Sequence, residues 1–198
     1  MRKKEGNKQE AILEAAIIVF AENGFHKAKI SRIADEADVA VGSVYLYFKN
    51  KEEILLRIFD DIWRRLYEAI DELSKHEKLN PDKIITKMMD MFFDLLSGDP
   101  AKTLVFINEQ NPLLQTNGNK FTPFYEKFWS KAEKIFNEGK KQNIFGQDLN
   151  YLIFRYYIFG ALRNLLHGWV QNPKKFPLNT IRKNVINLIS NGILRNCE

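Results

Sequence analysis

The sequence predicts an all-α protein of about nine helices, three short ones at the N-terminus and six longer ones after them. Three observations carry that prediction. Apolar residues recur at helical spacing along nearly all of the 198 residues, as in Ala11, Ile12, Ala15, Ala16, Val19 and Phe20. Asn80-Pro81, Asp99-Pro100 and Thr122-Pro123 each place proline at or near a first helical position, where its missing N–H has no partner to lose. No convincing strand and no internal repeat appear.

The elements follow in order. The stripe from Ala11 to Phe20 makes a first helix, which Glu22-Asn23-Gly24 ends, because glycine just past a helix tolerates left-handed dihedrals. Short helices over Ile30–Ala37 and Val41–Tyr47 come next. Asn50 then caps a long helix, residues 51–75, with Glu52 and Glu53 in its first turn, where acidic groups meet the positive end of the dipole. Its stripe is Ile54, Leu55, Ile58, Ile62, Leu66, Ala69, Ile70 and Leu73. Further helices are predicted over 81–97, 100–109, 122–142, 148–170 and 178–195. Asn111-Pro112 and Asn117-Gly118-Asn119 mark a loop, and Asn172-Pro173 stops the penultimate helix.

Composition narrows the function. With 45% hydrophobic and 28% charged residues, the chain buries too much apolar surface to be disordered. The single cysteine, Cys197, excludes a disulfide framework and a cysteine-based zinc site. His26, His76 and His167 lack metal-ligand spacing, and no cofactor is expected. No run approaches the ~18 uncharged apolar residues that span a bilayer. The first apolar stretch carries Glu14 and Glu22 and has no small-residue cleavage site, so no export signal is read and a soluble cytoplasmic protein is expected. The net charge of +5 is uneven: +2 over residues 1–51, −5 over 52–100 and +8 over 101–198. A basic surplus suits a polyanionic partner or a merely solvated lysine face. No Ser-His-Asp set, carboxylate pair, Gly-rich phosphate loop or metal constellation stands out, so an enzyme is not expected.

The informative stretch is Ile30 to Phe48, which reads as helix, tight turn, helix. Ile33, Ala34 and Ala37 form the buried face of the first helix; Val39 plugs the turn, and Val44 and Phe48 hold the second helix down. Val41, Gly42, Ser43, Tyr45 and Tyr47 are left facing outward. A solvated helix would carry Lys and Glu there. Small and aromatic residues suit a helix laid into a major groove, with close approach at Gly42 and hydroxyl donors to bases or phosphates from Ser43 and the tyrosines.

These residues resemble a known family. Ala-Glu-Asn-Gly-Phe at 21–25, Ile33-Ala34, Ala37 through Val39, Gly42-Ser43-Val44-Tyr45 and above all Tyr45-Leu46-Tyr47-Phe48-Lys49-Asn50-Lys51-Glu52-Glu53-Ile54 resemble the DNA-binding domain of TetR-type transcriptional repressors, over residues 6–65. The resemblance implies that Val41–Tyr47 is the recognition helix. It implies that Ser31 and Arg32 touch the flanking backbone or a base edge, that Tyr45 and Tyr47 touch phosphates, and that Lys51 lies at a phosphate. Two departures stand out. Ala28 and Lys29 occupy the usual Ser/Thr cap, so capping is weaker or Lys29 contacts phosphate, and Asp38 replaces the usual turn glycine. The arm Arg2, Lys3, Lys4 and Lys8 either reaches a minor groove or is a solvated tail.

The resemblance further implies two functional parts: residues 1–50 for DNA binding, and 51–198 for an effector and for dimerisation. Aromatic density supports an apolar pocket, with Phe92, Phe106, Tyr125, Phe128, Trp129, Phe154 and Tyr157 as candidate lining residues, although any one ring serves a core equally well. Arg155 and Arg163 interrupt the apolar 148–170 helix. A buried arginine needs a partner, either a carboxylate or an anionic ligand, and Arg163 is the candidate ligand contact. Pairing half-sites gives a helix-turn-helix unit its affinity. Gly160, Ala161, Asn164 and Gly168 on one helix, with Ile181, Val185, Leu188 and Gly192 on the last, are the expected homodimer face. Phe159-Gly160-Ala161, Trp169-Val170 and the Asn-Pro loop also resemble the fatty-acid-degradation regulators that respond to long-chain acyl-CoA. The expectation is a homodimeric repressor on a palindromic double-stranded operator, released when a small hydrophobic effector moves the 51–75 helix. A multidrug-efflux repressor and a helical adaptor without DNA binding are the alternatives.

Overall fold

The computed structural model describes residues 6–75, 80–117 and 123–193. Among them are nine α-helices and no strand. They are α1 (Gly6–Lys27), α2 (Ile30–Glu36), α3 (Val41–Tyr47), α4 (Lys51–Lys75), α5 (Pro81–Ser97), α6 (Pro100–Asn117), α7 (Pro123–Lys141), α8 (Tyr151–Gln171) and α9 (Leu178–Leu188), with a π-helical turn, Ile189–Ile193, after the last. No described helix is long and apolar enough to cross a membrane.

Most boundaries follow the chemistry of the helix ends. Gly24 breaks α1 with φ 70° and ψ 154°, leaving Phe25–Lys27 as a separate last turn. Pro81, Pro100 and Pro123 each open a helix, as their lost N–H allows. Three expectations need correction. α6 does not stop at 109; it continues through Pro112 to Asn117, despite the lost ladder bond and the crowding of the carbonyl four residues back that an internal proline brings. α8 begins at Tyr151 rather than 148, because Asn150 is the cap, accepting Ile153 N at 3.1 Å. α9 is α-helical only to Leu188, beyond which the π-helical turn buries Ile189. The predicted loop at 118–119 and the arm Arg2–Lys4 lie outside the described residues, as do His76 and Cys197.

Packing divides the chain into two compact units. The first comprises Met1–Ile62 and Asp99–Thr122; the second comprises Trp63–Gly98 and Pro123–Glu198. This division places α6 with α1, whereas the division at residue 50 read from the sequence is one of role.

In the first unit α1 packs against α2, α3 and α6. Its core joins Ile12, Phe20, Ile33, Val44, Ile54, Phe59 and Phe106, all buried. The end of α1 is the junction. Its last carbonyls have no intrahelical donors, and Lys51 Nζ answers them, donating to Phe25 O at 2.7 Å, His26 O at 2.8 Å and Ala28 O at 3.2 Å. The same ammonium lies 4.7 Å from the centre of the Phe25 ring. From α6, the Glu109 carboxylate accepts Phe25 N at 3.1 Å.

In the second unit α5 packs against α7 and α9, and α8 packs against α7 and α9. Two ionic clamps tie these helices. Arg182 of α9 donates from Nε to Asp90 at 2.6 Å and from its terminal nitrogens to Asp94, both on α5. Lys131 of α7 pairs with Asp71 of α4 at 2.9 Å, and Lys75 joins at 3.0 Å; hydrogen bonds from these two ammonium groups hold the Asp71 carboxyl below the usual carboxylate range. A lowered carboxylate pKa means this clamp is intact at neutral pH and fails only in acid, as Asp71 protonates.

The turn after α7 is tightly packed. Asn143 has φ 54°, and Gly139 O accepts both Ile144 N at 2.9 Å and Phe145 N at 3.1 Å. Phe145 is thereby folded back, fully buried, onto Gly139, where an added Cβ would lie 2.2 Å from the ring. Gly139→Ala is expected to destabilise the protein by about 1–3 kcal/mol through overpacking. Thermal unfolding should show a midpoint several degrees below wild type, and an unchanged midpoint would mean that the Phe145 ring moves freely.

Candidate nucleic-acid interface and apolar cavity

The first candidate site is the α2–turn–α3 segment. Local bonds build the turn: Ala37 N donates to Ile33 O at 3.0 Å, Asp38 N to Asp35 O at 3.2 Å and Val39 N to Ala34 O at 3.0 Å. Asp38 takes φ 54°, the left-handed conformation that its short polar side chain tolerates at modest cost. Lys29 stands at the start of α2 and Ala40 at the start of α3; neither makes a side-chain cap. By contrast Asn50 Oδ1 accepts Glu53 N at 2.8 Å, and Glu53 reaches back to Lys49 N at 2.6 Å, a reciprocal cap on α4.

Ile33, Ala34, Ala37, Val44 and Phe48 are buried as expected. Lys29, Ser31, Arg32, Val41, Gly42 and Tyr45 are exposed, and Ser43 and Tyr47 are half-buried. No heavy atom would touch a Cβ added at Gly42. Lys51 departs from expectation. Its ammonium is spent on the α1 carbonyls, so it holds the fold together instead of pointing outward to a phosphate. One outward residue was not singled out from the sequence: Leu46, 82% exposed, the most exposed large apolar side chain described. The signal was its place one residue after Tyr45, beyond the buried Val44.

The second site is an apolar cavity of about 70 Å³ within the second unit. Of the expected lining residues, Phe92, Phe128, Trp129 and Phe154 line it. Trp63, Met88 and Ile158, which sequence reasoning did not single out, line it as well. Trp63 was recognisable only as one more position on the apolar stripe of α4. Four expected residues lie elsewhere. Phe106 is buried in the first unit, 6.0 Å from the Phe59 ring. Tyr157 points outward, 62% exposed. Tyr125 packs edge-on to Trp63 at 4.8 Å behind the cavity wall. Arg163 is half-buried outside the lining, and burial lowers its pKa.

Among the described lining residues Arg155 alone is charged. Its guanidinium stacks 4.2 Å from the Trp129 ring centre and donates to Tyr125 Oη at 2.6 Å. Burial raises the Tyr125 pKa against the opposing pull of Arg155. Tyr151, whose hydroxyl donates to Trp129 O at 2.8 Å, is pushed far above its ordinary value by burial and stays neutral. The space is thus bounded almost wholly by apolar surface, suited to a hydrocarbon group. Among the described residues no group of histidine, cysteine and carboxylate side chains could hold a metal.

The third feature is one side of α8. Ile153 is 70% exposed and Tyr156 71%, and Leu152 and Tyr157 are exposed beside them. Gly160 and Asn164 continue that side, also exposed, and Ala161 is half-exposed. Gly168 differs: the Phe176 ring of its own chain lies 3.5 Å from where its Cβ would be. On the last helix Leu188 and Gly192 are exposed, whereas Ile181 and Val185 are buried, on a helix that packs against α5. The periodicity of 178–195 fits either an internal or an external partner, and the structure supplies an internal one for those two side chains.

Comparison with known proteins places these features. Residues 12–58 match bacterial regulatory proteins of the tetR family, and residues 59–192 match the C-terminal region of the YsiA-like proteins. The chain is 32% identical over 194 residues to the fatty acid metabolism regulator protein of Bacillus subtilis, covering 96% of this chain and 98% of that one. The fatty acid degradation regulator FadR of Bacillus halodurans superposes with a TM-score of 0.79 at 30% identity, over 98% of this chain and 100% of that one. FadR from Bacillus subtilis, in complex with stearoyl-CoA, superposes with a TM-score of 0.78 at 31% identity, over 94% of this chain and 100% of that one. With the exposed α3 face and the apolar cavity, these matches show that the chain belongs to the TetR family of DNA-binding transcriptional regulators.

Proposed function

We propose that this regulator is a cytoplasmic repressor that binds a palindromic operator as a homodimer and leaves it when a long-chain acyl-CoA enters the second unit. The apolar cavity carries the proposal: its walls suit a hydrocarbon chain, and a relative of 31% identity is known in complex with stearoyl-CoA. Residues 1–50 supply the DNA contacts and 51–198 the effector site and the dimer.

On the operator, Val41, Gly42, Ser43 and Tyr45 face base edges and phosphates, with Tyr47, Lys29, Ser31 and Arg32 at the flanking backbone. Two such faces meet successive major grooves, about 34–36 Å apart. The dimer buries the exposed side of α8, from Ile153 and Tyr156 to Gly160 and Asn164, together with Leu188. An apolar stripe of that kind is what an isologous contact covers. Phe92, Phe128, Trp129 and Phe154 surround the acyl chain, and the flexible Met88 adjusts the cavity to its bulk.

The direct experiment is fluorescence anisotropy on a duplex selected from random sequence by the purified chain. Saturating stearoyl-CoA is expected to raise the operator Kd by about tenfold or more, as coupling of about 1–3 kcal/mol provides. Tyr45→Ala is expected to lose operator binding while keeping the wild-type oligomeric state. Indifference to stearoyl-CoA would refute the effector, and a wild-type chain that binds no duplex would refute the operator.

Leu46 makes a finer prediction. The one apolar group on major-groove base edges is the thymine methyl. Replacing thymine by uracil at one operator position is expected to weaken wild type by about fourfold, the worth of a methyl-sized contact. Leu46→Ala should be insensitive to that replacement. Equal sensitivity in both proteins would remove Leu46 from readout.

A further inference from the structure

The bonds of Lys51 gather other cations around it. Its ammonium donates to the carbonyls of Phe25, His26 and Ala28, so the link between α1 and α2 lies against the link between α3 and α4. Basic side chains in the last turn of a helix ordinarily serve its open carbonyls. His26 and Lys27 occupy that turn of α1, yet Lys51 answers the carbonyls in their place, and the Lys27 ammonium is left unspent. Lys27, Lys29 and Lys49 are all exposed, and none of the three has a side-chain hydrogen bond or ion pair among the described residues. Glu53, the carboxylate nearest in sequence to accept from residue 49, is held on the Lys49 backbone N–H at 2.6 Å and not on its ammonium. Lys29 stands at the start of α2, and Lys49 directly follows the Phe48 cap of α3. Free cations therefore flank the helix-turn-helix where its first helix begins and where its second ends.

We infer that Lys27 and Lys49 are phosphate contacts of this regulator, flanking α3 together with Lys29, and that Lys51 is the positioning residue that brings them to one edge. In a helix-turn-helix the second helix enters the major groove and the first crosses the backbone. The start of the first and the end of the second then lie near the phosphate strands that border the groove, where an unpaired ammonium displaces a condensed counterion. Lys51 cannot do the same. A lysine has three N–H donors, and three carbonyls take them. The inference rests on the operator-bound homodimer read above and adds to it the cations that meet the backbone. Contacts of this kind position a protein without reading sequence, so the two lysines serve every duplex alike and leave discrimination to the outward face of α3.

The test is fluorescence anisotropy of the full chain on the selected operator duplex and on a random duplex of the same length, each titrated at several KCl concentrations. One phosphate contact is worth about 0.9 in the slope of log Kd against log salt, so a dimer that loses one contact per subunit loses about 1.8. Lys27→Met and Lys49→Met are each expected to lower the slope by that amount on both duplexes, with the thermal midpoint of wild type. Lys49→Arg keeps the charge and is expected to keep the slope. Lys51→Met is expected to lower the thermal midpoint, or to prevent folding, and any binding it retains should show the wild-type slope. A wild-type slope in Lys27→Met or in Lys49→Met overturns the assignment of that lysine. A weakening confined to the operator overturns it as well, because it marks a base contact. Lys51→Met with an unchanged midpoint and a lowered slope would place the phosphate on Lys51 and remove its positioning role. Wild type that binds neither duplex would instead refute the operator reading on which the inference rests.

Discussion

The ammonium of Lys51, shared among the carbonyls of Phe25, His26 and Ala28, is the interaction on which the helix-turn-helix unit depends. A helix leaves its last four carbonyls unanswered, and Gly24 makes this end abrupt by breaking α1 one turn early. A positive group there satisfies the orphan acceptors and opposes the negative end of the dipole at once. Because that group comes from the first residue of α4, the end of α1 and the start of α4 are held at one point. α2 and α3 are folded between them, and the outward face of α3 is presented from a framework that this one side chain closes. Glu109 of α6 completes the junction by taking the Phe25 N–H.

The same helix α4 that begins at Lys51 carries Trp63, Leu66 and Ile70 on the wall of the cavity. The cavity is formed by rings that meet edge-on or tilted: Trp63 lies 5.3 Å from Phe128 and 5.9 Å from Trp129. Such contacts favour particular geometries over a loose apolar droplet, so an inserted chain displaces ordered side chains rather than filling slack. Under the proposed effector response, movement along α4 would be felt at its first residue, Lys51, and at the carbonyls that its ammonium holds.

Much of this was legible in the sequence, for reasons specific to each element. The helix-turn-helix was readable because its spacing of small, buried and outward positions serves packing and groove approach together, leaving few alternatives at Ala34, Val44 and Gly42. Proline at the first helical position announced α5, α6 and α7. Pro112 misled because the penalty for an internal proline is local. The partner of an apolar side chain was not legible. Periodicity shows that Ile181 and Val185 lie on one side of α9, but not that α5 of the same chain covers that side. Phe106 and Tyr157 failed as cavity residues for the same reason, one being core in the other unit and the other outward. Lys51 shows the converse limit. A lysine beside a DNA-facing helix reads as a phosphate contact, and only coordinates reveal three carbonyls around it.

The Phe25 amide reports the junction directly, because its hydrogen bond ends on Glu109. Hydrogen–deuterium exchange at that amide, measured with and without saturating stearoyl-CoA, is the most direct test. Faster exchange at Phe25 and Ala28 on ligand binding, with Val19 in the middle of α1 unchanged, is the predicted result. Equal protection at Phe25 in both states, under conditions where the operator is released, would place the coupling somewhere other than the end of α1.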